Sequence, residues 1–455
     1  MTLPNYFIAD LPPEATLTQA MLGEACQTLK RNRERYLAER PTTALIRLLS
    51  ANAEDWLQTD YPFRKLVLEQ GPKATGFSSA TLANGLDAFF RRLTAENLRA
   101  LLMQDLGHVQ RPDVLGATNA ETDVQRAAVV RGPELLVHIT AGSLPNPVFM
   151  SIVLGVLLRS AQFVKCASGT SFLPRLFAHS LYDADAKIGA CLEIAEWRGG
   201  SVDLETPLFN EADCVTVTGS DETLTEIRYH IPAKTRFLGY GHRVSFGYIT
   251  HEALSGFNPK KIVARAATDV VAWNQLGCLS PHVIYVEHGG AVTPEQFAEM
   301  LARELELREA SEPRGELPPE SAAVIASKRA FYEIRAAHSP ETRQWRSENS
   351  TAWTVVYEAD PRFQLSCLNR FIYVKGVTGV TEALQGADNI RGQVSTVGLA
   401  ATEDKSQEIV TQLARWGATR ICPLGKMQDP PLLWRHDGRP PLGDLVTWTD
   451  WEQEN

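Results

Sequence analysis

From residue 135 onward the chain alternates short apolar runs with amphipathic stretches, and this rhythm restricts the folds open to it more than any other feature. Leu135-Leu136-Val137-His138-Ile139 reads as a strand and Val148–Leu158 as an apolar helix. Gln162–Cys166 is a second strand, Leu173–Tyr182 a helix, Cys214–Thr218 a third strand and Asp221–Tyr229 the helix behind it. Strands and helices repeating in this order predict a parallel, doubly wound sheet. A second alternating region begins near Phe257. It offers a helix over Lys261–Leu276, a strand over His282–Glu287, and a helix opened by Thr293-Pro294-Glu295-Gln296, where a capping box meets a proline in the first turn. Further strands are expected at Thr354–Glu358, Phe371–Val377 and Thr419–Pro423. The expected fold class is therefore α/β, with two doubly wound domains.

Before this region, Ala20–Glu39, Thr42–Leu57 and Thr94–Leu106 repeat apolar residues at helical spacing. The segment Glu309–Glu320, charged and holding Pro313, Pro318 and Pro319, reads as a surface loop, and Trp434–Asn455 as a docked arm. The expected domains are a helical region over 1–130, one α/β domain over 131–252, a second over 253–433 and the arm over 434–455.

With 44% hydrophobic residues the chain can build a real core, and its net charge of −9 argues against a general nucleic-acid surface. Its seven cysteines are scattered and form no CxxC pair, which points to a reducing compartment and not to disulfides or zinc. The ten histidines show no ligand spacing, so no metal is expected. No signal peptide is visible, and no apolar run approaches the roughly 20 residues that span a bilayer. A cytoplasmic protein is the expectation.

Ligands of doubly wound sheets bind at the carboxyl ends of the strands, which draws attention to the turns between strands and helices. Thr140-Ala141-Gly142-Ser143-Leu144-Pro145-Asn146 follows one strand and opens a helix whose N-terminus can hold an anion; an ordinary strand–helix turn is the alternative. Lys165 ends the next strand, ahead of Ala167-Ser168-Gly169, where it can reach a ribose or a phosphate or simply lie in solvent. Gly219 and Ser220 open a further helix after a strand, and glycine there permits close approach of a pyrophosphate. No GxGxxG follows any strand. In Phe237-Leu238-Gly239-Tyr240-Gly241-His242-Arg243, glycines flank an aromatic ring, and His242 is either an acid–base group or a solvated turn residue. Last comes Trp273-Asn274-Gln275-Leu276-Gly277-Cys278-Leu279-Ser280-Pro281, a turn between helix and buried strand. A cysteine exposed there can act as a nucleophile, with backbone N–H groups beside it for an oxyanion; alternatively it packs as a small hydrophobe.

The order of these pieces resembles the aldehyde dehydrogenase superfamily and, within it, the LuxC-type acyl-CoA or acyl-protein thioester reductases. The stretches that carry the resemblance are Ala141–Pro145, Gly239–Gly247, Asn274–Pro281, Gln393–Leu399 and Gly417–Gly425. It implies an aldehyde dehydrogenase-like fold in which residues 131–252 bind a nicotinamide cofactor, NADPH or, secondarily, NADH. Cys278 corresponds to the nucleophile, in the motif begun by Gln275. Thr140, Gly142, Lys165, Ser168, Gly219, Ser220, Gly239 and Gly241 correspond to the cofactor site. The implied substrate is an acyl-CoA or acyl-protein thioester, and an acyl-activating partner subunit and a homo-oligomer are implied with it. Two departures stand out. Ser143 occupies a position where the family carries an oxyanion-donating Asn, a role that Asn146 could take over. No carboxylate lies in Phe237–Gly241, where hydrolytic relatives place a glutamate that activates water, so the acyl-enzyme is left to hydride or thiol. An acyl-transfer subunit without productive reduction and a non-catalytic scaffold are the competing functions. The apolar helix Val148–Leu158 could line an acyl tunnel or fill the core.

Overall fold

A computed structural model describes residues 3–454 apart from 13, 143 and 256–258. The chain divides into two compact units, one of residues 1–75, 86–241 and 431–455, the other of residues 76–85 and 242–430. Among the described residues no helix is long and apolar enough to cross a membrane.

The first unit carries strands β1 (Arg126–Arg131), β2 (Leu135–Ile139), β3 (Ala161–Cys166), β4 (Leu192–Glu196), β5 (Cys214–Thr218) and β6 (Arg236–Tyr240). Five of them form a wholly parallel sheet in the order β4-β3-β2-β5-β6. Every residue of β2 and β3 is buried, as expected where helices cover both faces of a parallel sheet. On one face Leu135, Val137, Phe163 and Val215 pack against Leu22, Cys26 and Leu29 of the helix Gln19–Tyr36. The helix Asn146–Leu157 is buried nearly all round, and Phe149 meets Phe89 and Phe177 at ring-centroid distances of 5.4 and 4.7 Å. It is a core element, which accounts for its uninterrupted apolar sequence.

In the second unit β7 (Val244–Ile249), β8 (Pro281–Glu287), β9 (Thr342–Arg346), β10 (Thr354–Glu358), β11 (Phe371–Val377), β12 (Val394–Ala400) and β13 (Ile421–Pro423) form one sheet in the order β13-β12-β7-β8-β11-β10-β9. All neighbours are parallel except the edge strand β9, which runs antiparallel to β10. The predicted capping box at Thr293 forms, with Gln296 N–H donating to the threonine hydroxyl at 3.2 Å. A last strand, β14 (Thr447–Glu452), belongs to the first unit, where it pairs antiparallel with β1.

Three local expectations change. Phe237–Gly241, read as a turn, is largely strand β6: Phe237 to Tyr240 pair with β5, and Gly239 is needed because a Cβ would stand 2.7 Å from Leu224. The helix expected to reach Leu276 ends at Val271, because Trp273, Asn274 and Gln275 all take left-handed backbone angles. Glu309–Glu320 is not simply a surface loop. Glu309 lies in the helix Pro294–Ser311, Pro319 opens the helix Pro319–His338, and buried Arg314 lies between them.

Candidate active site

The turn that carries Cys278 belongs wholly to the second unit. Trp273, Asn274 and Gln275 have φ of 50°, 52° and 65°, and none is glycine. L-residues avoid this region by roughly 1–2 kcal/mol each, so surrounding contacts must hold the turn. Trp273 is buried edge-on to Phe77, with ring centroids 5.2 Å apart. Asn274 Nδ2 donates to the Arg314 carbonyl at 2.7 Å, and its Oδ1 accepts from Arg370 Nε at 3.2 Å. Gln275 Nε2 donates to the Pro281 and Phe371 carbonyls at 2.7 and 3.0 Å.

A second run of left-handed residues, Leu368, Asn369 and Arg370, precedes β11 just as the first precedes β8. The two strands are parallel neighbours, so the two turns lie side by side, joined by Arg370–Asn274 and Gln275–Phe371. Arg370 is 1% exposed, donates to Glu309 at 2.9 Å, and is pushed down to about 10 by burial. Replacing Asn274 by alanine is expected to cost about 2–3 kcal/mol, from the left-handed angle and the two orphaned partners. Asn274→Gly should lose less than Asn274→Ala in urea denaturation, since glycine restores the angle but not the hydrogen bonds. Equal losses would refute a contribution from the backbone.

Beyond this brace stands Cys278. Of the seven cysteines it is the exposed one; Cys367 is half-buried and the others are buried. Burial pushes the thiols of Cys26, Cys166, Cys191, Cys214 and Cys422 up to about 12, which makes them poor nucleophiles. The Cys278 carbonyl accepts from Ser245 Oγ at 2.7 Å, and Ser245 Oγ in turn accepts from Thr396 N–H at 3.1 Å, so the turn is pinned to β7 and β12.

Gln275, a site candidate by sequence, is fully buried and engaged with backbone carbonyls; it braces the turn. His242 is exposed. Nothing in the local pattern around His282 singles it out. It is buried on β8, accepts from Ser366 N–H at 3.1 Å through Nδ1, and is pushed down to about 4 by burial and then by the charge of His242, so it is neutral at pH 7. Its partner Ser366 lies 84 positions away, beyond the reach of any local pattern.

The first unit carries the remaining candidates at or just beyond the carboxyl ends of β2, β3, β5 and β6. Thr140 N–H donates to the Lys165 carbonyl at 3.0 Å. Gly142 has φ of 82°, and the space a Cβ would take is open, so backbone and ligand can approach closely there. Ser143 lies outside the described residues. Asn146 starts the following helix, and its Oδ1 is buried with no hydrogen-bond partner among the described residues. Lys165 is 3% exposed, with Nζ 4.0 Å from Glu205 and 5.7 Å from the centre of the Trp197 ring; burial lowers its pKa. Ser168 is exposed on the loop after β3, where Glu196 accepts from Gly169 N–H at 2.6 Å and Ser171 N–H at 3.0 Å. Ser220 caps the helix Asp221–His230 through Thr223 N–H, with Gly219 just before it. Gly239 backs onto the Leu224 side chain, and Gly241 faces the Asp221 carboxylate. An open cradle at Gly142, an unsatisfied amide oxygen at Asn146 and a buried lysine near two strand ends fit a nicotinamide dinucleotide.

One side-chain cluster was not expected. His251, Glu252 and Glu287 bring ligand-type atoms within 4.8 Å of one another. Glu287, however, already accepts from Tyr248 OH and from His251 N–H at 3.0 Å, so these groups satisfy one another.

Two doubly wound units of this kind define an aldehyde dehydrogenase-type fold. Among solved structures the chain is similar to the bifunctional proline utilization A protein, with a TM-score of 0.73 and 14% identity over 96% of this chain; the match spans 45% of that longer protein. It is also similar to the Δ-pyrroline-5-carboxylate dehydrogenase of Mycobacterium tuberculosis, with a TM-score of 0.69 and 13% identity over 96% of this chain and 83% of that one. A third neighbour is an NAD-dependent benzaldehyde dehydrogenase of Corynebacterium glutamicum, with a TM-score of 0.69 and 12% identity over 96% and 91% of the two chains. Identity this low establishes the fold alone.

The chain belongs to the acyl-CoA reductase (LuxC) family, whose model matches residues 37–448. It is 24% identical to a long-chain acyl-protein thioester reductase of Aliivibrio fischeri over 421 residues, or 90% of this chain and 82% of the relative. A protein of the same description from Photorhabdus luminescens is 23% identical over 70% of this chain and 63% of its own length.

Proposed function

We propose that the protein reduces an acyl thioester, a fatty acyl group on CoA or on a protein, to an aldehyde through an acyl-Cys278 intermediate. The observation that carries this reading is the exposed Cys278 on a turn that is costly to form and braced from several sides, inside a family of acyl-CoA reductases.

The Cys278 thiolate attacks the acyl carbonyl, the bond to the carrier sulfur breaks, and the carrier thiol leaves with a proton, for which exposed His242 is the candidate donor. The Cys278 backbone N–H is the candidate oxyanion donor. With no carboxylate in Phe237–Gly241, water is poorly activated, and the acyl-enzyme persists. When bound, a reduced nicotinamide dinucleotide would supply the hydride that reduces the acyl carbon, and Cys278 would part from that carbon as the thiolate, leaving an aldehyde.

Gly142, Lys165, Gly219 and Ser220 would hold that cofactor, with Lys165 on the adenosine ribose or its 2′-phosphate. NADPH is the cofactor read from the sequence, yet buried Glu205 beside Lys165 opposes a 2′-phosphate. Glu205→Gln is expected to shift the NADPH-to-NADH affinity ratio about tenfold toward NADPH, while Lys165→Ala weakens binding. Isothermal titration decides, and an unchanged ratio in Glu205→Gln removes that pair from cofactor selection.

Incubation with acyl-CoA and NADPH or NADH should give cofactor oxidation with aldehyde formation. Absence of turnover across short, long and aromatic acyl chains would sink the proposal. Acyl labelling of Cys278 without dinucleotide binding would leave an acyl-transfer subunit instead. A cytoplasmic homo-oligomer working beside an acyl-activating subunit belongs to the same proposal.

A further inference from the structure

The second unit contains a cavity of about 440 Å³ that the proposed reaction does not use, lined by Lys328, Phe331, Tyr332, Arg335, Leu365 and Tyr373 among others. Its volume lies within the range of small-molecule sites, roughly 300–1,000 Å³. Two large apolar side chains at its mouth face solvent, Phe331 at 52% and Leu365 at 56% exposure.

Charge around this cavity is unbalanced. Tyr332 OH donates to Gln364 Oε1 at 3.1 Å, and beside it lies Glu358, 1% exposed. Glu358 faces two cations, Lys375 at 3.4 Å and Arg335 at 3.3 Å. The nearby Asp360 is taken up by Arg362 at 2.7 Å, and no carboxylate among the described residues pairs with Lys328. Three lysine and arginine charges therefore stand against one carboxylate, in a chain whose overall charge is −9. Apolar walls with an excess of positive charge suit an amphipathic anion.

The cavity is also tied to the nucleophile turn by consecutive residues of one loop. Gln364 and Leu365 line it. The next residue, Ser366, accepts from Gln275 Nε2 at 3.4 Å and its N–H donates to His282 Nδ1 at 3.1 Å, while Gln275 also holds the Phe371 carbonyl. Anything that shifts Leu365 moves groups that hold the turn carrying Cys278.

We propose that this cavity is an effector site for a fatty carboxylate, with its head group at Lys328 and Arg335 and its chain against Phe331 and Leu365, and that occupancy alters the reactivity of Cys278 through the 364–371 loop. Binding is independent of the reductase reading, since it requires no turnover.

The test uses the full chain and decanoate in isothermal titration, with decylamine as the control of equal length and opposite charge. Saturable decanoate binding is expected, about tenfold tighter than decylamine, and about tenfold weaker in each of Lys328→Glu and Phe331→Ser. Both replaced residues are exposed, so the variants should fold, and circular dichroism checks that they do. Decylamine binding as tightly as decanoate, or decanoate affinity unchanged in both variants, overturns the site. Iodoacetamide alkylation of Cys278, followed by mass spectrometry, reads the coupling. Saturating decanoate should change its rate about threefold or more in the unsubstituted chain, and both variants should need about tenfold more decanoate for the same change. An unchanged rate at saturation overturns the coupling even where decanoate binds.

Discussion

Cys278→Ala is expected to lower thioester reduction by about 10⁴-fold or more and to abolish covalent acyl labelling, while leaving the affinity for a nicotinamide dinucleotide unchanged. The size of the effect follows from loss of the bond-forming atom, since removing a nucleophile from a concerted catalytic group costs most of the rate enhancement. Stability should barely change, because the side chain is exposed and the contacts that fix the turn come from Trp273, Asn274 and Gln275. Single-turnover assays with acyl-CoA, together with intact-mass detection of the acyl adduct, measure both effects. Residual labelling at another residue would show that Cys278 is not the acceptor.

The second large effect falls on a residue with no chemical function. Gly85 lies inside the helix Ser79–Phe90, where replacing glycine by alanine ordinarily adds up to about 1 kcal/mol. Here a Cβ would collide with the six-membered ring of Trp273, which is buried and has left-handed backbone angles. Overpacking of this kind costs about 1–3 kcal/mol, so the sign reverses and Gly85→Ala is expected to destabilise. Displacing the indole should also disturb Cys278, and a fall in iodoacetamide reactivity at that thiol is the accompanying readout. Unchanged or increased stability in urea would show that the indole can move aside.

Periodicity in the sequence carried the α/β class because buried parallel strands such as Leu135–Ile139 and Phe371–Val377 are unbroken apolar runs. Strands at the margins were not legible. β6 is half-buried at every position and reads as a glycine turn, and β9 and β14 expose charges and tryptophans that no single-face pattern marks. Cys278 stood out by its neighbours in sequence, whereas its supports did not. Arg370 and Ser366 reach the turn with their side chains and Arg314 with its carbonyl, Glu309 holds Arg370 in turn, and all come from segments tens of residues away that no local pattern connects to it. A partial clue did exist in Asn274 and Asn369, each ahead of a buried strand, because asparagine tolerates left-handed angles better than most residues.

The paired left-handed turns bear on the order in which the protein acquires its chemistry. Neither Trp273–Gln275 nor Leu368–Arg370 is favoured locally; each relies on groups from the other segment, and Arg370 relies also on Glu309 of the helix Pro294–Ser311. A nascent or partly folded chain would therefore carry Cys278 as an ordinary thiol on a flexible segment. The presentation proposed for Cys278 is thus available only once distant parts of the second unit have come together, which ties the proposed chemistry of one sulfur atom to the folding of that unit.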